Sequence, residues 1–260
     1  MTAYAPCELW RHPPADVLER LELIIERTSG RRATIFFRAD DIGLPGRQLV
    51  RMTELFVRHD VPLALAVVPT WLPLRHTELK GMLASGGSLW CLHQHGFRHA
   101  NHEQGNPSKK KSEFGPARPA EDKQRDISRG RDILESYLAG RISPLFTPPW
   151  NRCDGETLDI LAGLCFRAVS RSAGAQPALP TRMMELAVNV DLHTRKEPTA
   201  QAAFDALLEE LEQSLATGLC GIMLHHQRMN RAALEFLDNL LAALKRVAGL
   251  RLAHPSDLIR

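Results

Sequence analysis

The sequence predicts an α/β fold built on a parallel sheet, and three observations predict it. Short apolar segments alternate with amphipathic ones along the 260 residues, the order that gives parallel strands joined by right-handed helical crossovers. The apolar segments are hydrophobic on both faces, as strands covered by helices must be. The polar residues Asp40, Asp41, His93 to His99, Trp150, Asp191, His225 and His226 fall at the C-terminal ends of those segments. That edge is where parallel α/β folds carry their chemistry. A barrel and an open doubly wound sheet both satisfy this pattern.

The elements follow in order. "ATIFFRADD" (33–41) reads as a buried strand ending in two carboxylates. Leu49, Met52, Leu55 and Phe56 recur at helical spacing and predict a helix over 47–60. "PLALAVVP" (62–69) is a strand stopped by proline, and 76–86 a helix stopped by glycine. "GSLWCLHQH" (87–95) is a third strand, and four of the chain's eleven histidines lie between 93 and 102. Gly, Pro and charge dominate 101–122, which predicts a long loop. A helix over 120–140, a proline-broken strand over 142–151 and a helix over 154–163 come next. Strands at 166–170 and 184–191, a helix at 200–218, a strand at 220–226, a helix at 231–249 and a strand at 250–255 complete the chain.

A length of 260 residues suits one domain, 1–260, since barrels of about 250 residues are common. Apolar residues make up 44%, enough for a large core. A net charge of +3, from 33 basic and 30 acidic residues, argues against nucleic acid or a membrane surface as partner. Cys7, Cys91, Cys153, Cys165 and Cys220 are odd in number and show no zinc-finger spacing, which predicts reduced thiols. With no basic start followed by an apolar run, and no stretch of about 18 apolar residues, the expectation is a cytoplasmic protein without a membrane span. Nothing in the sequence bears on oligomeric state.

His95 and His99 are four apart, a spacing that lets two imidazoles face one ion on a helical turn or a turn-like loop. A carboxylate such as Asp41, from another strand end, completes a set that leaves coordination positions open for water and substrate. Imidazole and carboxylate suit zinc first, without excluding iron, cobalt or nickel. The spacing of His93 and His95 allows an alternative, a barrel amidohydrolase that binds its metal through those two.

Five short motifs occur in a fixed order: "FRADD", "HGFRH", "FTPPWN", "NVD" and "IMLHH". Together, across residues 34–226, they resemble the motifs of the polysaccharide deacetylases (NodB-homology family, carbohydrate esterase family four). The resemblance implies a distorted (β/α) barrel of about seven parallel strands. It implies metal-dependent removal of an acetyl group from an N-acetylated sugar or polysaccharide precursor, a small-molecule or oligosaccharide substrate. By the same resemblance Asp40 is the general base, and Asp41, His95 and His99 are the metal ligands. The backbone N–H of Trp150 points at the oxyanion. His226 is the general acid with His225 as its substitute, and Asp191 charges the catalytic histidine.

The sequence departs from the family at two points. The third-motif arginine that orients the general base is replaced by Thr147, so either another basic residue, Arg152 in preference to Arg38, takes over or Asp40 is tuned differently. The fourth motif lacks its tryptophan. These departures leave room for a non-catalytic carbohydrate-binding module on a degenerate deacetylase scaffold. Trp71 offers a flat apolar face to a sugar. His93, Arg152 and His225, and more remotely Glu113 and Arg118, are the remaining candidate substrate contacts.

Overall fold

The computed structural model describes residues 5–28, 30–104 and 110–259. Its centre is a nine-stranded, wholly parallel sheet. The strands are β1 (Ala33–Ile42), β2 (Leu63–Val67), β3 (Trp90–His95), β4 (Ile142–Thr147), β5 (Ala168–Val169), β6 (Met184–Glu185), β7 (Val190–Asp191), β8 (Leu219–Leu224) and β9 (Leu250–Leu252). They run in the order β6-β5-β4-β3-β2-β1-β8-β7, with β9 alongside the start of β1.

The stretch predicted as one strand over 184–191 is two dipeptides at opposite ends of that order. Between them the main chain stays paired on both sides. The N–H of Val188 donates to Arg171 O (2.8 Å), and that of Asn189 donates to Gly221 O (2.9 Å). Four residues thus draw the two ends of the sheet together into a distorted barrel.

Among the described residues, eight α-helices flank the sheet: α1 (Glu8–Arg11), α2 (Val17–Arg27), α3 (Arg47–His59), α4 (Leu72–Ser85), α5 (Ala120–Leu138), α6 (Gly155–Gly163), α7 (Ala200–Thr217) and α8 (Arg231–Arg246). α4 starts four residues before the predicted 76, because Pro73 sits in the first turn, where its missing N–H costs nothing. α1 and α2 were not foreseen. Trp10 of α1 is buried, packs its ring at a tilt against Phe236 of α8 with centroids 5.1 Å apart, and donates its indole N–H to Leu192 O at 2.5 Å.

Strand alternation sorts the apolar side chains into two layers. Ile35, Phe37 and Ala39 face outward, packing with Leu49 and Met52 of α3, Leu207 of α7 and Leu237 of α8. Phe36, Leu145, Ala168 and Met223 fill the base of the barrel. Full burial of such a side chain stabilises the fold by about 1.5–3 kcal/mol. The barrel is tight there: a Cβ on Gly221 would lie 2.6 Å from the Phe36 ring.

The long loop after β3 is pinned where it is described. His102 N–H donates to Ser112 O at 2.9 Å, and Phe114 bridges to Cys153. Of the basic run 109–111, Lys110 and Lys111 are exposed and Lys109 lies outside the described residues. All five cysteines are free thiols. Burial pushes Cys153 and Cys220 up to about 12. Among the described residues, no helix is long and apolar enough to cross a membrane.

Candidate active site

The parity that sorts the core also builds the site. On β1 the residues alternating with Phe37 and Ala39 are Phe36, Arg38 and Asp40, so an aromatic base, a cation and a carboxylate stack up the barrel interior. Asp41 should face outward by the same rule. Instead the β1–β2 register slips between Ala39 and Ile42, and Asp41 takes a left-handed backbone with φ 62°. Such an irregularity re-aims a side chain at a strand end.

Asp41 Oδ1 lies 3.3 Å from His95 Nε2 and 3.1 Å from His99 Nε2. The three ligand atoms are all within 4.8 Å of one another. His95 ends β3, and its Nδ1 is 2.9 Å from Thr147 O, which holds the ring and leaves Nε2 facing Asp41. His99 follows on a turn at φ 57° and lies between two indoles, Trp150 at 4.4 Å and Trp71 at 5.9 Å between ring centroids. Two imidazole nitrogens and one carboxylate oxygen on three separate backbone supports are a donor set that fits zinc or a similar divalent ion. Burial pushes the Asp41 carboxyl up, but the adjoining imidazoles outweigh it and hold it well below the usual carboxylate range.

The turn that carries His99 is built from below. Glu113 is 1% exposed and accepts the N–H groups of Phe97 (3.1 Å) and Arg98 (2.7 Å). Burial raises its pKa despite those donors. Gly96, at φ 57°, has no room for a side chain, since a Cβ would fall 2.2 Å from Glu113 Oε2. Glu113 is therefore a support for the histidine turn and not the substrate contact predicted from sequence. Arg118 likewise pairs with Asp126 at 2.6 Å.

Arg38, not Arg152, orients Asp40. Its Nε and Nη2 donate to the two Asp40 carboxylate oxygens, each at 2.8 Å. The same guanidinium reaches Ser170 Oγ (2.8 Å) and Asn151 Oδ1 (2.6 Å). Burial raises the Asp40 pKa, and Arg38, His95 and His225 more than offset it, so the carboxylate is held in its charged form. The Arg152 guanidinium instead donates outward to Lys111 O at 3.2 Å.

His93 is no metal ligand. It points inward one step below His95, with Nε2 2.9 Å from Thr147 Oγ1. Burial first, then the Arg38 charge, lowers its pKa to about 3. The hydroxyl that stands where the arginine was expected thus binds a buried neutral imidazole, and the His93/His95 arrangement does not form.

The two terminal histidines differ in placement. On β8, Ile222 and Leu224 face the helices and Met223 faces the barrel, so His225 continues the inward face. His225 is the charge that, after burial, acts most strongly on Asp191, and it also acts on Asp40 and Asp41. His226 is 3% exposed, beside main-chain acceptors of Leu44 and Asp40, and burial lowers its pKa to about 4. Asp191 accepts the N–H groups of His193 and Thr194, each at 2.9 Å, and the Thr194 hydroxyl. His193 is fully buried, and its Nδ1 accepts the His225 N–H at 3.2 Å.

A curled parallel sheet whose strand tips converge one carboxylate and two imidazoles defines a class, the α/β barrels able to carry a divalent ion. Within that class, the fold is that of the polysaccharide deacetylases, as the five motifs implied. Neither a family model nor a curated protein sequence matches the chain. Solved structures match its fold. A polysaccharide deacetylase of Mycobacterium smegmatis shares it with a TM-score of 0.64 at 15% identity, covering 100% of this chain and 93% of that one. PuuE allantoinase shares it with a TM-score of 0.65 at 14% identity, covering 90% of each chain. A family-four carbohydrate esterase pseudoenzyme of Bacillus anthracis shares it with a TM-score of 0.56 at 15% identity, over 86% of this chain and 68% of that one.

Proposed function

We propose that the protein is a divalent-metal hydrolase that removes the acetyl group from an N-acetylated sugar. The observation that carries this reading is the separation of labour between adjacent carboxylates. Asp41 faces two imidazoles at ligand distance, whereas both Asp40 oxygens are taken up by the Arg38 guanidinium. One is free to hold an ion and the other to move a proton.

Asp41, His95 and His99 would hold the ion, zinc by donor type. When bound, it supplies Lewis acidity to a water and to the acyl oxygen. Asp40 takes the proton of the attacking water, and Arg38 fixes the carboxylate in the charged state that this requires. The amide carbon becomes tetrahedral, and the Trp150 N–H is the backbone donor to its oxyanion. His225, on the inward face of the barrel and beside Asp191, gives a proton to the leaving amine. Trp71 and Trp150, flanking His99, offer the flat apolar faces that sugar rings pack against.

A binding-only reading has one observation in its favour, the pseudoenzyme among proteins of this fold. Turnover of a panel of N-acetylated sugars and small amides, with metal content measured in parallel, separates the two. The hydrolase reading expects one ion per chain and an Asp40→Asn variant that keeps the ion and loses turnover. Sugar binding without turnover, unchanged in Asp40→Asn, would establish the binding-only reading.

A further inference from the structure

The rim of the barrel carries a second polar cluster that the hydrolytic reading does not use. α3 follows β1 and α8 follows β8, so both helices begin at the edge that holds Asp40, Asp41 and His225. Between the two helix starts lies a cavity of about 170 Å³, with Arg47, Gln48, Arg51, Asn230 and Arg231 as its polar walls and Met229 and Leu234 as its apolar ones. No carboxylate lines it. Neighbouring Arg58 shows the ordinary alternative, paired with Asp238 at 2.8 Å. Arg51 and Arg231 also border the adjacent groove that contains Glu54 and Glu235, yet pair with neither. Among the described residues, Arg47, Arg51 and Arg231 make no ion pair.

Arg47, Arg51 and Arg231 are exposed and line one void, so their like charges repel through solvent, and an anion between them would turn that repulsion into attraction. The backbone adds to it. Neither α3 nor α8 has an acidic residue in its first turn, and Gly46 gives α3 no side-chain cap. The first N–H groups of α3 therefore remain open to a ligand at the positive end of a 13-residue helix. Guanidinium forks match the oxygen spacing of phosphate, and three of them favour a dianion over a single carboxylate.

We propose that this cavity binds a phosphate group, as a phosphate monoester or diphosphate of a soluble ligand or of a lipid headgroup. This assignment does not rest on the hydrolytic reading.

Inorganic pyrophosphate, titrated into the full chain by calorimetry at low ionic strength, tests it, because exposed charges are screened over about 10 Å at 0.1 M salt. The expected result is a Kd of about 1 mM or tighter, weakened about tenfold or more in Arg47→Gln/Arg231→Gln. Asp41→Asn is the control for an anion held at the metal centre, and there the binding should persist. Vesicles with phosphatidic acid distinguish the sources. Arginine-dependent vesicle binding assigns a lipid phosphate, and its absence beside pyrophosphate binding assigns a soluble one. Failure of both probes to bind overturns the proposal. So does binding that survives the double arginine variant, or binding lost only in Asp41→Asn.

Discussion

The Arg38 guanidinium holds the Asp40 carboxylate through two parallel hydrogen bonds of 2.8 Å, from two residues earlier on the same strand. The pair is buried, with side-chain exposures of 0% and 5%. Removing one partner of such a pair leaves an uncompensated charge in the barrel. Arg38→Ala should lower stability by about 3–5 kcal/mol in urea unfolding. Arg38→Lys keeps the charge but not the fork, and should still lose turnover, because one ammonium cannot fix both oxygens. Stability equal to the native protein in Arg38→Ala would show that the pair does not restrain Asp40.

The two adjacent histidines should separate cleanly in kinetics. Replacing His225 by Ala should lower kcat by about 10²–10⁴-fold, the scale of a lost general acid. Replacing His226 by Ala should mainly reduce stability, since its ring is buried beside the backbone of Leu44 and Asp40. The reverse pattern, with His226 dominating kcat, would restore the assignment expected from motif spacing.

Gly96 is predicted to be irreplaceable. A methyl group there would overlap Glu113 Oε2 at 2.2 Å and Pro149 Cγ at 2.5 Å, at a backbone φ of 57°. Gly96→Ala should lower stability by about 1–3 kcal/mol and weaken zinc binding measured by competition with a chromogenic chelator. Glu113→Gln keeps the shape and loses the charge, so its metal affinity should fall between the native protein and Gly96→Ala.

Acid stability offers a test away from the site. Lys123, with no side-chain exposure, bridges Asp154 (2.8 Å) and Glu156 (2.5 Å), joining the starts of α5 and α6. Burial raises the Asp154 pKa, but Lys123 and Thr157 outweigh it and leave it lowered. A lowered carboxyl contributes stability above its unfolded pKa of about 3.9 and loses it as pH falls through the folded value. Lys123 is raised by its two acids against burial, so its share is present at neutral pH and lost only as pH rises through its folded value. Lys123→Met should therefore destabilise the protein at pH 7 by about 1–3 kcal/mol, with the difference shrinking toward pH 2 in thermal unfolding.

The fold and the Asp41–His95–His99 cluster were legible because they rest on local rules. Alternation of element types set the parallel sheet, and the strand tips collected Asp41, His95 and His99. Strand parity was also present in the sequence. It places Arg38 on the face of Asp40, which favours Arg38 over Arg152, and it places His225 opposite to Ile222 and Leu224. What no local rule supplies is contact across the barrel. Ser170 and Asn151 reach Arg38 from 132 and 113 residues away, and His93 meets Thr147 from 54. Glu113 lies in a polar loop whose composition reads as solvated, yet its fold over the histidine turn buries it.

Asp41, His99, Trp150 and Asn151 all hold a left-handed backbone. Outside glycine such a conformation costs about 1–3 kcal/mol per residue, least for Asn and Asp. Selection for heat resistance alone would relax these four sites, trading the working centre for a sturdier shell. An engineer who wants both should leave the rim untouched and seek gains in the outer helices.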